Sequence, residues 1–268
     1  MATLGEYLQT WKLKLSTTKT VSAAFHLNNK EAKREQKVNF NNETVPFSSK
    51  PKYLGVTLDR SLTYRRHLES LCKKLTLRVA LLRRLAGSGW GGGATTLRTA
   101  TLAMVHSTAE YCAPVWCRSA HTRLIDTIIN DTLRIVTGCL RPTPADNLPI
   151  HTGIQPAELR PRGDTLSLAR RAMERGHLLH SALTRPSGAA AWRLKSRRPF
   201  VPAAQQLISF SVRGSSMKRG VGEQLHKTPH FNSRHRYTPP EMNLPRNAWV
   251  RHNLLRTAFG RFRSCLYK

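Results

Sequence analysis

Apolar positions change their spacing along this chain, and the changes predict its elements. Leu4, Leu8, Trp11 and Leu15 recur at helical steps, so residues 4–14 read as the end of an amphipathic helix. The period then becomes two. Val21, Ala23, Phe25 and Leu27 alternate with Ser22, Ala24, His26 and Asn28, which predicts a half-buried strand over Thr20–Asn28. Val38 and Phe40 begin a second strand, Asn41-Asn42 is turn chemistry, and Val45 and Phe47 return. KYLGVTLD at 52–59, β-branched and aromatic, predicts a third strand. Beyond Asp59 the spacing lengthens. Leu68, Leu71, Cys72, Leu75, Val79 and Leu82 fall at three- and four-residue steps and predict a helix over 62–85. A glycine-rich stretch, GSGWGGGATT at 87–96, separates it from a predicted helix over Ala94–Ala109. Pro114 within YCAPVW should end or kink a helix. Residues 121–137 carry a further helical pattern through Leu124, Ile125, Ile128, Leu133, Ile135 and Val136, with Gly138 as its cap. Thr143-Pro144 offers an N-cap with proline behind it. Pro156 opens a helix reaching Leu168 and Met173, interrupted in its first turns by Pro161. Residues 185–248, dense in Pro, Ser, Gly, Arg and His, show no sustained periodicity and predict weak order. WVRHNLLRTAFGRFRSCLYK, from Trp249 on, reads as a short basic helix. The fold class is α+β.

Charge narrows the partners. The 268 residues hold 44 Lys and Arg against 15 Asp and Glu, a formal net of +29. Self-repulsion of that size opposes compaction and calls for a polyanion, first of all nucleic acid. An anionic membrane surface ranks second, but no basic helix has a clean lipid face. No run approaches the ~18 apolar residues of a membrane span. The charge concentrates on the 62–85 helix. Arg65, Arg66, Lys73, Lys74, Arg83 and Arg84 accompany a single acid, Glu69. Like charges at i,i+4 destabilise an isolated helix, and a polyanion relieves them; a solvated outer face is the plainer reading.

Candidate chemistry is thin elsewhere. Five cysteines, at 72, 112, 117, 139 and 265, form no C-x-x-C pair, which argues against a disulfide framework and for a reducing compartment. His106, Cys112, Cys117 and His121 are zinc-type residues, but their spacing matches no standard knuckle, so no metal site is assigned. GSGWGG fits G-x-G-x-x-G. The dinucleotide motif needs a preceding strand, and a P-loop needs a following Lys-Ser or Lys-Thr; here a helix precedes and neither dipeptide follows. The glycines therefore predict an interhelical turn with positive φ, after which Thr95 and Thr96 open a helix whose N-terminus suits a backbone phosphate.

WKLKLSTTKT at 11–20, KYLGVTLD at 52–59, YCAPVW at 111–116 and LRIVTGCLRPTPADNL at 133–148 occur in this order. Together they resemble the carboxy-terminal part of the reverse transcriptase of non-LTR (LINE-type, jockey-like) retrotransposons. The resemblance covers residues 1–185 and resumes over 239–268. It implies a palm remnant over 1–59, a mainly helical thumb-like domain over 60–185 and a basic, largely disordered tail over 186–268. Lys19 would approach the phosphates of an incoming nucleotide; Ser16 stands where the family usually has asparagine. Tyr53, Leu54 and Gly55 would lie in a primer-grip strand. Arg65, Arg66, Lys73, Lys74, Arg83 and Arg84 would hold the backbone of an RNA template and DNA primer. Trp90-Gly91 would lie in the linker between thumb helices. Polymerase catalysis needs carboxylates that hold two magnesium ions, supplied in this family by an F-A-D-D element among others. This chain has no Asp-Asp pair, and its first aspartate is Asp59. The expectation is therefore a truncated fragment with no catalytic residues and no cofactor of its own, one that grips template–primer. A stand-alone basic nucleic-acid-binding protein and the inert product of a decayed retroelement reading frame are the alternatives.

Overall fold

The structure is a computed structural model; it describes residues 2–14, 16, 19–26, 30, 34–35, 37–40, 43–87, 91–185, 200–217 and 238–257. Residues 1–67 and 68–268 form two compact units. The class is α+β, mainly helical with two small hairpins.

The first unit opens with α1 (Ala2–Thr10). Tyr7 and Trp11, one turn apart, bring their rings to 6.3 Å and stay exposed. Over its described residues, 20–26, the strand predicted for Thr20–Asn28 does not form. Its described part makes a single parallel bridge, Ser22 to Phe47, and Val21 and Phe25 of the expected inner face are exposed. A strand requires a partner ladder, and the backbone beside Ser22 includes Pro46, which has no N–H to donate. The same proline ends β2. β1 (Val38–Phe40) and β2 (Glu43–Val45) pair antiparallel with Val38 opposite Val45, and Asn41-Asn42 of the predicted turn lie outside the described residues. KYLGVTLD is also not one strand. β3 (Lys52–Tyr53) and β4 (Val56–Thr57) pair antiparallel, Tyr53 opposite Val56. Leu54 at φ 45° and Gly55 at φ 83° make the two-residue turn between them, both left-handed as the tight hairpin turn requires.

α2 (Arg65–Leu85) follows, a helix of 21 residues. Leu68, Leu71, Leu75, Val79 and Leu82 are buried, as the predicted stripe requires. α3 (Ala94–Ala100) runs into a π-helical segment, Thr101–His106, and α4 (Ser107–Ala109). Arg78 of α2 donates to the carbonyl of Met104 at 2.7 Å, inside the widened segment; a side chain entering the ladder is a recognised cause of such widening. Of the glycine-rich stretch, Ser88–Trp90 lie outside the described residues. Gly91 is not left-handed, contrary to the expected role of these glycines. A Cβ on it would stand 2.0 Å from the Gly87 carbonyl, so glycine serves close backbone approach there. At the start of α3 the exposed Thr95 donates its hydroxyl to the Met242 carbonyl at 3.4 Å.

Pro114 starts a helix rather than ending one. Cys112, at φ 54°, reverses the chain, and α5 (Ala113–Trp116) begins with the proline in its first turn, where its missing N–H costs nothing. α6 (Arg123–Thr137) buries Ile125, Ile129, Leu133 and Val136 and ends at Gly138, φ 71°, as expected. Thr143 does not cap the next element. A 3-10 turn, Ala145–Asn147, starts from Pro144 with no side-chain cap, and α7 (Leu148–Thr152) follows. α8 (Leu159–Ala172) tolerates Pro161 because it is only the third helical residue.

α9 (His180–Thr184) and α10 (Phe200–Met217) complete one small core, in which Ala169, Ala172, Leu183 and Ala204 are buried. α10 lies inside the segment expected to be weakly ordered. Gln205 donates to the carbonyls of Leu183 and Arg185 at 2.7 and 2.8 Å, fixing α10 to the end of α9. After a 3-10 turn, Pro240–Asn243, α11 (Arg246–Arg256) packs its Trp249 with Leu82, Ala94, Leu97, Val136 and Met242. Residues 186–199, 218–237 and 258–268 lie outside the described residues.

Candidate nucleic-acid interface

Entry into α2 is set by one carboxylate. Leu62 and Tyr64 are both left-handed, φ 53° and 59°. Asp59 holds this loop. Its Oδ2 accepts the Thr63 N–H at 2.9 Å and the Thr63 hydroxyl at 2.6 Å, and its Oδ1 accepts the Tyr64 N–H at 2.7 Å. Burial works against the charge, but these donors outweigh it and hold the Asp59 carboxyl below the usual range.

All six predicted basic residues of α2 are exposed. Successive residues turn by about 100°, which sorts them. Arg66, Lys73, Leu77 and Arg84 form a line opposite the buried leucines; Arg65 and Arg83 flank it on one side, Lys74, Leu81 and Leu85 on the other. Arg66 and Arg84 stand about five turns, or about 27 Å, apart. Leu77 is 70% exposed in the middle of this face. Among the described residues, Lys73, Lys74, Arg83 and Arg84 make no ion pair.

Lys19 is exposed on a turn closed by one carbonyl. Ser16 O accepts the N–H groups of Lys19 and Thr20 at 3.2 and 3.0 Å and the Thr20 hydroxyl at 2.8 Å. Tyr53 and Leu54 are 68% and 70% exposed at the tip of their hairpin, with Val56 buried beneath. The structure thus brings the six basic residues onto one helix and puts Tyr53, Leu54 and Gly55 on one turn, with Lys19 on another.

Several charged residues that the sequence pattern did not single out are internal. Arg98 is buried and donates to the carbonyls of Thr152 and Gly153 at 2.9 and 3.1 Å, closing the end of α7. Glu110 binds Arg160 of α8 through both oxygens, Oε2 at 2.8 Å from Nη2, and Oε1 also meets His106 Nδ1 at 3.0 Å. Burial opposes its charge, but the hydrogen bonds of Arg160 and His106 bring the Glu110 pKa down to about 2. Beside it, Trp116 Nε1 donates to the Tyr111 carbonyl at 2.9 Å. YCAPVW is therefore a folded corner. His106 is taken up by Glu110, and among the described residues no group of His, Cys, Asp or Glu side chains assembles as a metal site. No helix among them is long and apolar enough to cross a membrane.

A small hairpin unit followed by a helical unit with a long basic helix is the setting in which the sequence motifs stand, and similarity to polymerase polyproteins agrees with it. A Pol polyprotein from the type-1 retrotransposable element R1 4 of Nasonia vitripennis is 30% identical over 149 residues, 49% of this chain and 38% of that protein. The probable RNA-directed DNA polymerases from transposons X-element and BS of Drosophila melanogaster are 27% and 28% identical over 138 and 145 residues. Those matches take in 50% and 52% of this chain but 15% and 16% of the relatives, so the chain spans only a minor part of the curated proteins it matches. No family model and no solved structure matches. About half of the chain is thus a region related to the reverse transcriptases of non-LTR, LINE-type retrotransposons.

Proposed function

We propose that this chain supplies template–primer grip to a retrotransposon reverse transcriptase and does not polymerise on its own. The outer face of α2 carries the reading. Six cations on one exposed helix, four of them without an ion pair among the described residues, fit a phosphate backbone. Such contacts position a duplex without reading its sequence, and they release condensed counterions. Leu77, Leu81 and Leu85 give the same face an apolar strip that sugars can cover. The exposed Tyr53–Leu54 turn suits contact with the primer end, and Lys19 suits the phosphates of a nucleotide. Missing catalysis rests on the sequence, which has no Asp-Asp pair to hold paired magnesium ions.

Two assays on the full chain test this. Binding to an RNA–DNA hybrid should weaken linearly in log–log salt; binding that ignores salt, or no binding, sinks the grip. Primer extension with magnesium should yield no product, and template-dependent extension by the purified chain overturns the second half of the proposal.

A further inference from the structure

The first helix ends on an exposed aromatic pair whose backbone is closed by a cap. Trp11 N–H donates to the Tyr7 carbonyl at 3.3 Å, Lys12 N–H to Gln9 O at 3.0 Å and Leu13 N–H to Leu8 O at 2.9 Å. The last two bonds, with Lys12 left-handed at φ 51°, make a Schellman motif. Glycine is the usual residue at that left-handed position; here it is a lysine. Tyr7 and Trp11 are 58% and 63% exposed, with ring centroids 6.3 Å apart at 53°. That separation is within the range of an attractive ring pair, so each ring restrains the other while both stay open to solvent.

Cations interleave with this apolar surface. Trp11, Lys12, Leu13 and Lys14 alternate in type, and all four are exposed. Neither lysine makes an ion pair among the described residues. Glu6, the one acid of residues 2–14, lies about 100° around the helix from Tyr7. The cap also occupies carbonyls that would repel an anion at a helix C-terminus. Those of Tyr7, Leu8 and Gln9 have the partners above, and the Thr10 hydroxyl donates to Glu6 O at 2.9 Å. Lysine is depleted at protein–protein contacts, so this mixture fits a partner that offers flat apolar faces and negative charge together.

We propose that Tyr7 and Trp11, with Lys12 and Lys14 beside them, form a base-stacking platform for single-stranded nucleic acid. Bases stack on the two rings while the lysines meet the neighbouring phosphates, an arrangement that tolerates any sequence because every base has a π-face. An unpaired strand suits it, since the bases of a duplex already cover one another. The platform rests on the reading of nucleic acid as this chain's partner but not on the α2 face, which takes the phosphate backbone of a duplex. Stacking does not read the 2′-hydroxyl, so a DNA strand serves as the probe.

Fluorescence anisotropy on the full chain is the test, at about 0.2 M salt to weaken phosphate contacts. It compares an oligothymidylate of about twelve residues with an abasic strand of the same length and charge. The parent chain should bind the thymidine strand about tenfold more tightly. The Tyr7→Leu, Trp11→Leu pair should close that gap while the abasic strand binds as before. Equal binding of the two strands by the parent chain, binding of neither, or an undiminished gap in the paired variant overturns the platform. Self-association that the paired variant abolishes while the gap persists makes this a protein-docking face instead. Lys12→Gly should keep or raise the melting temperature, since glycine suits the left-handed backbone, yet reduce the log–log salt slope for either strand by about 0.7. An unmoved slope counts against the site. Glutamine at Lys73, Lys74, Arg83 and Arg84 together should weaken both strands alike and leave the gap, so failure of the α2 grip is read apart from failure of the platform. Should the paired variant fail to fold, ultraviolet cross-links from the thymidine strand to the parent chain should map to Tyr7 or Trp11, and cross-links confined to other peptides overturn the proposal.

Discussion

Gly138 shows how one residue can be fixed twice over. Its φ of 71° is left-handed, and a Cβ there would stand 2.5 Å from Cγ2 of Val250 on α11. Gly138→Ala should therefore cost about 1–3 kcal/mol, by strain together with displacement of Val250; equilibrium urea unfolding measures it, and a neutral result contradicts the packing of α11 against this turn. Asp59 is fixed by hydrogen bonding instead. Its carboxylate closes the loop that carries Leu62 and Tyr64 at positive φ. Because its folded pKa is lowered, its contribution is present above its unfolded pKa, about 3.9, and is lost as pH falls through the folded value. Asp59→Ala should cost about 1–2 kcal/mol at neutral pH. The difference between parent and variant should vanish in strong acid, which urea titrations at two pH values check.

At the scale of elements, Glu110 joins the α4–α5 corner to α8. Its pKa of about 2 lies below an unfolded value of about 4.3, so the Arg160 pair stabilises above about pH 4.3 and its support drains away between there and pH 2. Glu110→Gln should cost about 1–3 kcal/mol at pH 7, since it leaves a largely buried guanidinium without its counter-charge. The variant should also flatten the acid limb of the unfolding profile; an unchanged limb means another carboxylate controls it. None of this was legible from spacing, because the partners stand fifty residues apart. Nor was the division of arginines. Arg98 and Arg246 end on backbone carbonyls, and a carbonyl leaves no mark in a sequence. The apolar stripe of α2, by contrast, was plain, since Leu68, Leu71, Leu75, Val79 and Leu82 are buried as their period requires. The hairpin inside KYLGVTLD was hidden by Leu54, a residue type that seldom takes positive φ and so did not signal a turn. The expected strand at Thr20–Asn28 had the right alternation but, among the described residues, only one bridge to pair with. Periodicity describes which side chains can face inward; whether a ladder exists depends on the neighbouring backbone.

For the whole molecule the governing quantity is the +29 charge, and it is not one pool. Some cations are spent inside the fold: Arg78, Arg98 and Arg246 donate to carbonyls, and Arg160 faces Glu110. Others, among them Lys73, Lys74, Arg83 and Arg84, remain exposed on α2. The two groups should separate in experiment. Replacing Lys73, Lys74, Arg83 and Arg84 together with glutamine leaves up to four phosphates without a cation while sparing the buried leucines. The log–log salt slope for an RNA–DNA hybrid should then shrink by about 3, at roughly 0.7 to 0.9 for each phosphate no longer neutralised, with the melting temperature in nucleic-acid-free buffer unchanged or raised by relief of self-repulsion. Arg98→Gln should do the reverse. It should lower the melting temperature by leaving the Thr152 and Gly153 carbonyls without their donor, and any molecules still folded should keep the parent slope. If the quadruple variant keeps the parent slope, the phosphate-binding surface lies elsewhere on the chain and α2 is only a solvated helix. If Arg98→Gln alters the slope instead, the separation of internal from external cations is wrong, since a buried guanidinium has no phosphate to release.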